Sequence, residues 1–178
     1  MHNRPRIKMI AAMGINRVIG ANNQLPWHLP AEWEYFRAVT KGHVFIMGRK
    51  SYFNPDALLS DRYNYVVSRQ PNLAVSGNTS VASSLEVAID AAGAEDSIFV
   101  LGGGSIFTAA LPYADELYLT IIHDVFSGDT YFPQLNWSQW RFVTGKRHMR
   151  DEEHSHTFSM NIYHRIKPSS NKVVQEEM

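Results

Sequence analysis

The chain has no cysteine, which excludes a disulfide framework and thiolate chemistry and leaves the redox compartment open. It has no excess of either charge. Lys plus Arg number 17 against 17 for Asp plus Glu, so the cation surplus of a nucleic-acid wrapper or a polybasic membrane binder is missing. No stretch approaches the ~20 apolar residues of a membrane span. The start, Met1–Lys8, is basic. The apolar run behind it is short and broken by Gly14, Asn16 and Arg17, unlike a signal peptide. Internal repeats and low-complexity segments are also lacking. These absences lead to the expectation of a cytoplasmic protein without nucleic-acid or membrane partners, and a monomer is the default.

What remains is an ordinary globular balance, 44% hydrophobic and 19% charged over 178 residues. That length suits one domain with a sizeable core and room for a ligand cleft. Apolar runs at Ile7–Met13, Val44–Met47, Tyr63–Ser68, Ser97–Leu101 and Glu116–Ile122 read as strands. A helix is expected from Pro30, a residue suited to a first turn, to about Lys41. Ser83 with Glu86 three residues on reads as a capping box opening a second helix. A third helix follows Gly102-Gly103-Gly104 and ends near Pro112. Arg141–Lys146 and Thr157–Arg165 read as an antiparallel pair. Strands alternate with helices first and follow one another later. This predicts a single α/β domain over 1–166, with a mostly parallel central sheet flanked by helices and antiparallel C-terminal strands. The polar, aperiodic stretch 167–178 reads as a disordered tail.

Several places carry chemistry. Three glycines between a buried strand and a helix allow close approach, and a helix start offers N–H groups to a phosphate. A tight strand–helix turn explains the same glycines equally well. Gly48-Arg49-Lys50-Ser51 again joins a strand end to a helix start, with two cations and a hydroxyl. If the strand ending at Ser68 lies alongside, Arg69 joins them around a phosphoester, which favours NADPH over NADH; a solvated basic rim is the plainer alternative. Glu32 shares a helical face with Phe36 and Thr40 and adjoins Trp33. Desolvation there disfavours the ionised carboxylate, so the group can hold a proton near neutral pH. A helix-start glutamate facing water is the plainer alternative. Trp27 stands between Pro26 and Pro30, either as a plug over the core or as a rigid cleft wall. His154 and His156, after Asp151, Glu152 and Glu153, alternate as on one strand face, and a solvated hairpin is expected there rather than a metal site.

Val18-Ile19-Gly20 and Leu25-Pro26-Trp27-His28-Leu29-Pro30, with an acid two residues on, closely resemble the dihydrofolate reductase signature. The likeness continues through Ile46–Ser51, Val66–Arg69, Gly102–Gly104, Leu117–Thr120 and Gly128–Pro133, in the family's order, and covers roughly Ile7 to Arg165. It implies NADPH-dependent reduction of 7,8-dihydrofolate to 5,6,7,8-tetrahydrofolate in support of one-carbon metabolism, and sensitivity of the same slot to antifolate inhibitors. By the resemblance, Glu32 hydrogen-bonds the pterin and assists its protonation, Thr120 hydrogen-bonds that carboxylate, and Trp27 holds a water near it. Ile10, Ala11, Leu25, Phe36, Leu59 and Leu101 line the pterin and aminobenzoyl slot. Arg62 pairs with the substrate's glutamate carboxylate.

On the cofactor side the resemblance sets Ala12, Ile19 and Gly20 beside the nicotinamide. Gly48, Arg49, Lys50, Ser51, Ser68 and Arg69 grip the phosphates. Gly102, Gly103, Gly104, Ser105, Ile106 and Phe107 cover the pyrophosphate and nicotinamide ribose, with a cis peptide expected at Gly102–Gly103. Gly14–Gln24 matches a mobile loop braced by Asp129 and Thr130. No metal is implied. The run Tyr52–Asp61 keeps the family's length but loses its Gly and two Pro. Two other readings share parts of this pattern: a reductase for another pteridine-like or pyrimidine substrate, and a nucleotide-binding module without catalysis. Glu32, Thr120 and the proline-bracketed Trp27 favour dihydrofolate.

Overall fold

The computed structural model describes residues 4–167. In chain order the elements are β1 (Arg6–Gly14), β2 (Val18–Gly20), α1 (Pro30–Thr40), β3 (Val44–Gly48), α2 (Arg49–Tyr52), β4 (Asn64–Val67) and β5 (Thr79–Ala82). There follow α3 (Leu85–Ala91), β6 (Ser97–Gly102), α4 (Gly104–Ala110), β7 (Glu116–Ile122), β8 (Thr130–Tyr131), β9 (Trp140–His148) and β10 (Phe158–Arg165). Eight strands form one sheet in the order β5-β4-β3-β6-β1-β7-β10-β9. The first six of these pair in parallel, and β10 runs antiparallel to both β7 and β9. The α/β class with late antiparallel strands is as the alternation predicts.

Alternation along the buried strands divides the core in two. Ile7, Met9, Ala11 and Met13 of β1, with Val44 and Ile46 of β3, pack under α3 and α4. Ile10, Phe45 and Met47 point the other way, toward Phe36 and Val39 of α1. A third cluster joins Trp27 and Leu29 to Ile122, Phe158 and Met160, and so ties the segment before α1 to β7 and β10.

The pairing register creates the cleft. β6 follows β1 only from Arg6↔Ser97 to Met9↔Val100. β7 stays with β1 as far as Gly14↔Ile122. Past Met9 the neighbours β1 and β6 therefore part, and a crevice opens at the C-terminal ends of parallel strands, the usual place for a ligand in such sheets.

Several local expectations are corrected. The cap of α3 is Ser84, whose Oγ accepts the Val87 N–H at 3.2 Å, and not Ser83. Ser84 has the extended backbone an N-cap needs, so the cap lies one residue later. The strands β2, β5 and β8 escape the apolar pattern, being two to four residues long and only partly buried. His154 and His156 sit in the connection between β9 and β10 rather than on a strand, and His154 is buried at 4% exposure, not solvated. Of the tail expected over 167–178, all but Lys167 lies outside the described residues. Among the described residues no helix is long and apolar enough to cross a membrane.

Candidate active site

A cleft of about 1070 Å³ lies where β1 and β6 part. Its floor is Ile10, Ala11 and Ala12 of β1, with Leu101 of β6 and Met47 of β3. One wall is α1 and the segment before it, contributing Leu25, Trp27, Glu32 and Phe36. Trp33 stacks on Phe36 at 5.6 Å between ring centroids, and Arg37 lies over Trp33 at 5.3 Å. The other end is formed by Ile19, Gly20, Ser51, Gly103, Phe107 and Thr130.

Glu32 is the chemical centre. Pro30 starts α1 at its first position, which puts Glu32 in the first turn, facing the sheet with Phe36 and Thr40. It is only 5% exposed, and its one side-chain partner among the described residues is Thr120, whose Oγ1 donates to Oε1 at 3.2 Å. Burial pushes the carboxyl up from 4.5 to about 7, and the Thr120 hydrogen bond opposes this. The positive end of α1 also favours the charged form, by about 0.3–1 kcal/mol and ~2 at most. Desolvation outweighs the Thr120 hydrogen bond, which leaves the carboxyl at about 7. Burial raises the Tyr35 phenol, and the nearby Glu32 charge adds to the rise. Thr120 itself is 2% exposed and sits beneath the cleft beside Ala12 across the β1–β7 pair. Trp27 packs edge-on against Phe126 at 5.0 Å, and its buried Nε1 has no hydrogen-bond partner among the described residues.

The cofactor-side residues gather at one edge of the sheet because β3, β4 and β6 are adjacent and parallel. Gly48↔Val67 and Met47↔Gly102 are in register, so Arg49 and Lys50, Ser68 and Arg69, and Gly102–Gly104 leave neighbouring strand ends. Arg49, Lys50, Arg69 and Ser105 are exposed, while Ile106 and Phe107 are buried under the turn. The Gly102–Gly103 peptide is cis. Gly102 has φ +109, and a Cβ there would stand 2.7 Å from the Phe107 ring, so only glycine fits. The Gly14–Gln24 loop is tied down by β2–β8 pairing and by Asp129, which accepts the Asn22 N–H at 3.0 Å and the Thr130 hydroxyl at 2.9 Å.

Two expected substrate residues stand elsewhere. Leu59 is 43% exposed and lines a smaller hollow with Arg37, Thr40 and Ser60, while the preceding Leu58 reaches the cleft. Asn54 accepts the Asp56 N–H at 2.9 Å and donates across the cleft to the Asn23 carbonyl at 2.8 Å. Arg62 points away into a two-pronged pair with Glu95, both contacts 2.8 Å, and does not line the cleft. The cleft residues that sequence reasoning missed include Arg37, Met47, Asn54 and Leu58. A strand-end signal marked Met47, but no local rule chooses between Leu58 and Leu59.

The family model described as dihydrofolate reductase matches residues 6–165. The Bacillus subtilis dihydrofolate reductase is 40% identical over 157 residues, covering 88% of this chain and 93% of its own. The Haemophilus influenzae dihydrofolate reductase is 42% identical over 145 residues, covering 82% and 89%. Among solved structures, the Enterococcus faecalis dihydrofolate reductase complexed with NADP(H) and RAB-propyl superposes with a TM-score of 0.82 at 30% identity, covering 91% of this chain and 97% of that one. The chain belongs to the dihydrofolate reductase family.

Proposed function

We propose that this chain reduces 7,8-dihydrofolate to 5,6,7,8-tetrahydrofolate with NADPH, and that Glu32 is the acid that assists protonation. The observation carrying this reading is a lone buried carboxyl on the cleft wall, raised to about 7. The pterin needs one proton on the ring nitrogen beside the carbon that receives hydride. A group with this pKa is half protonated near neutral pH, where general-acid assistance is most effective. NADPH, when bound, supplies the hydride.

The chain's own residues orient and dry the reaction. Ile10, Ala11, Leu25, Phe36, Leu58 and Leu101 offer a flat apolar slot for the pterin and aminobenzoyl rings, and antifolates of similar shape compete for it. Glu32 accepts from the pterin amino group, Thr120 keeps the carboxyl oriented, and the free Trp27 Nε1 suits a water shared with that group. The residues at the sheet edge fit a phosphorylated dinucleotide. Arg49, Lys50 and Arg69 carry three positive charges there, and among the described residues none is engaged in an ion pair. Gly103, Ser51 and Thr130 come together where a pyrophosphate needs close backbone approach. Ala12, Ile19 and Gly20 then flank the nicotinamide. The proposal takes the enzyme to be a cytoplasmic monomer with 1–166 as its catalytic domain.

The test is direct. Purified protein is mixed with NADPH and dihydrofolate, and loss of the reduced nicotinamide signal is followed against a no-folate control. Loss that a folate antagonist blocks supports the reading. Tight NADPH binding without turnover would overturn it in favour of another substrate.

A further inference from the structure

Helix α1 begins without a cap of its own. Leu29 occupies the cap position and offers no side-chain acceptor, and Pro30 has no N–H. Glu32 and Trp33 both donate to the Leu29 carbonyl at 3.1 Å. The remaining first-turn donor, the Ala31 N–H, is met from the far end of the chain by Nε2 of His154 at 3.0 Å. His154 lies in the β9–β10 connection, buried at 4% exposure. Asp151 holds it twice: Oδ1 accepts the His154 backbone N–H at 2.8 Å and stands 2.8 Å from Nδ1.

This geometry fixes the tautomer. An Nε2 that accepts carries no proton, so the neutral ring is protonated on Nδ1 and donates to Asp151. The same fact decides against a metal. His148, Asp151 and His154 bring ligand atoms within 4.8 Å of one another. A metal at Nδ1 would move the proton to Nε2, donor against donor with the Ala31 N–H. The groups facing the ring are Asp151 from its own loop, His148 from β9 at 4.2 Å between centroids, Phe158 from β10 at 5.8 Å, and the positive end of α1. All but Phe158 are polar or charged.

We propose that His154 is a positioning residue for the reduction: by closing the first turn of α1 it fixes the place and dryness of Glu32, the residue that follows Ala31. An uncapped amide draws water or frays the turn. Either change loosens the burial that keeps Glu32 protonated. The kinetic part of this inference rests on the dihydrofolate reading above. The structural part does not.

Two substitutions separate the cap from mere filling of space. His154→Phe fills the space and removes the acceptor. His154→Gln puts a carbonyl oxygen about where Nε2 stands. In folded protein with intact NADPH binding, His154→Phe is expected to lower kcat at neutral pH about tenfold, as a misaligned reacting group does. It should also move the alkaline limb of the kcat profile, and the Glu32 carboxyl followed by carbon-13 NMR, down from about 7 toward 4.5. His154→Gln should restore most of both. A Phe variant with the wild-type titration, or a Gln variant no better than Phe, overturns the proposal. Two readouts on the wild-type protein need neither turnover nor a variant. Nitrogen-15 shifts should show Nδ1 protonated, and the Ala31 amide should exchange slowly. A ring protonated on Nε2, or a freely exchanging Ala31 amide, would overturn the proposal even if turnover is normal. Wild-type protein that shows the capped ring but reduces no dihydrofolate refutes the functional reading alone.

Discussion

The Thr120 hydroxyl donates to Oε1 of Glu32 at 3.2 Å, joining two buried residues 88 apart in the chain. The threonine acts against the burial: it favours the charged carboxylate, while desolvation favours the acid. Replacing Thr120 by Val keeps the volume and removes the donor. The Glu32 pKa should then rise above about 7, and the kcat profile should keep its activity to higher pH. A shift to lower pH would mean the hydroxyl mainly excludes water. This direction is opposite to that expected for His154→Phe, so the two variants test different controls on one carboxyl.

Glu32→Gln separates folding from chemistry. The variant should fold, bind NADPH and lose most of its turnover at neutral pH, because the amide cannot pass on a proton. Its stability carries a second signature. The folded-state pKa of Glu32 lies above its unfolded value. Stability from the protonated group is therefore fully present below 4.5 and is lost as pH rises through about 7. That gap corresponds to about 3 kcal/mol. The Gln side chain stays neutral throughout, so its stability relative to wild type should improve by up to that amount from acid to alkaline pH. Urea denaturation at several pH values measures it, and a constant difference would show that burial does not govern Glu32.

The sequence is most legible where one local rule acts alone. Buried parallel strands read as continuous apolar runs, so β1, β3, β6 and β7 stand out with little error. Glu32, Phe36 and Thr40 declare their common face by helical spacing. The triple glycine announces a close approach that the Gly102 φ of +109 confirms. The rest depends on contacts far apart in sequence. Nothing near His154 shows that its ring meets the start of α1, so the hairpin reads as solvated. Nothing near Arg62 points to Glu95. Nothing near Leu58 and Leu59 marks which of them reaches the cleft.

Arg49 and Arg69 stand at neighbouring strand ends because β3 and β4 are parallel and in register. If they read the extra phosphate on the adenosine ribose, the double variant Arg49→Ala with Arg69→Ala should weaken NADPH much more than NADH. The loss should be largest at low salt, since both side chains are exposed. Fluorescence titration with each nucleotide gives the ratio. Equal weakening would assign the arginines to the shared pyrophosphate.

Arg62 and Glu95 set the last test. Nε and Nη2 of Arg62 each meet one Glu95 oxygen at 2.8 Å, and the arginine side chain is 54% exposed. A pair so open to water contributes little to stability, so its interest lies in competition. A substrate carboxylate seeking Arg62 has to displace Glu95. Glu95→Gln should therefore lower KM for dihydrofolate while leaving kcat unchanged, and Arg62→Ala should raise KM in the same selective way. Neither change should affect a pterin substrate that lacks the glutamate tail, because the difference is confined to one carboxylate. If both variants keep the wild-type KM, the tail is read from the cleft itself, and Arg37, the cation on its wall, becomes the residue to substitute.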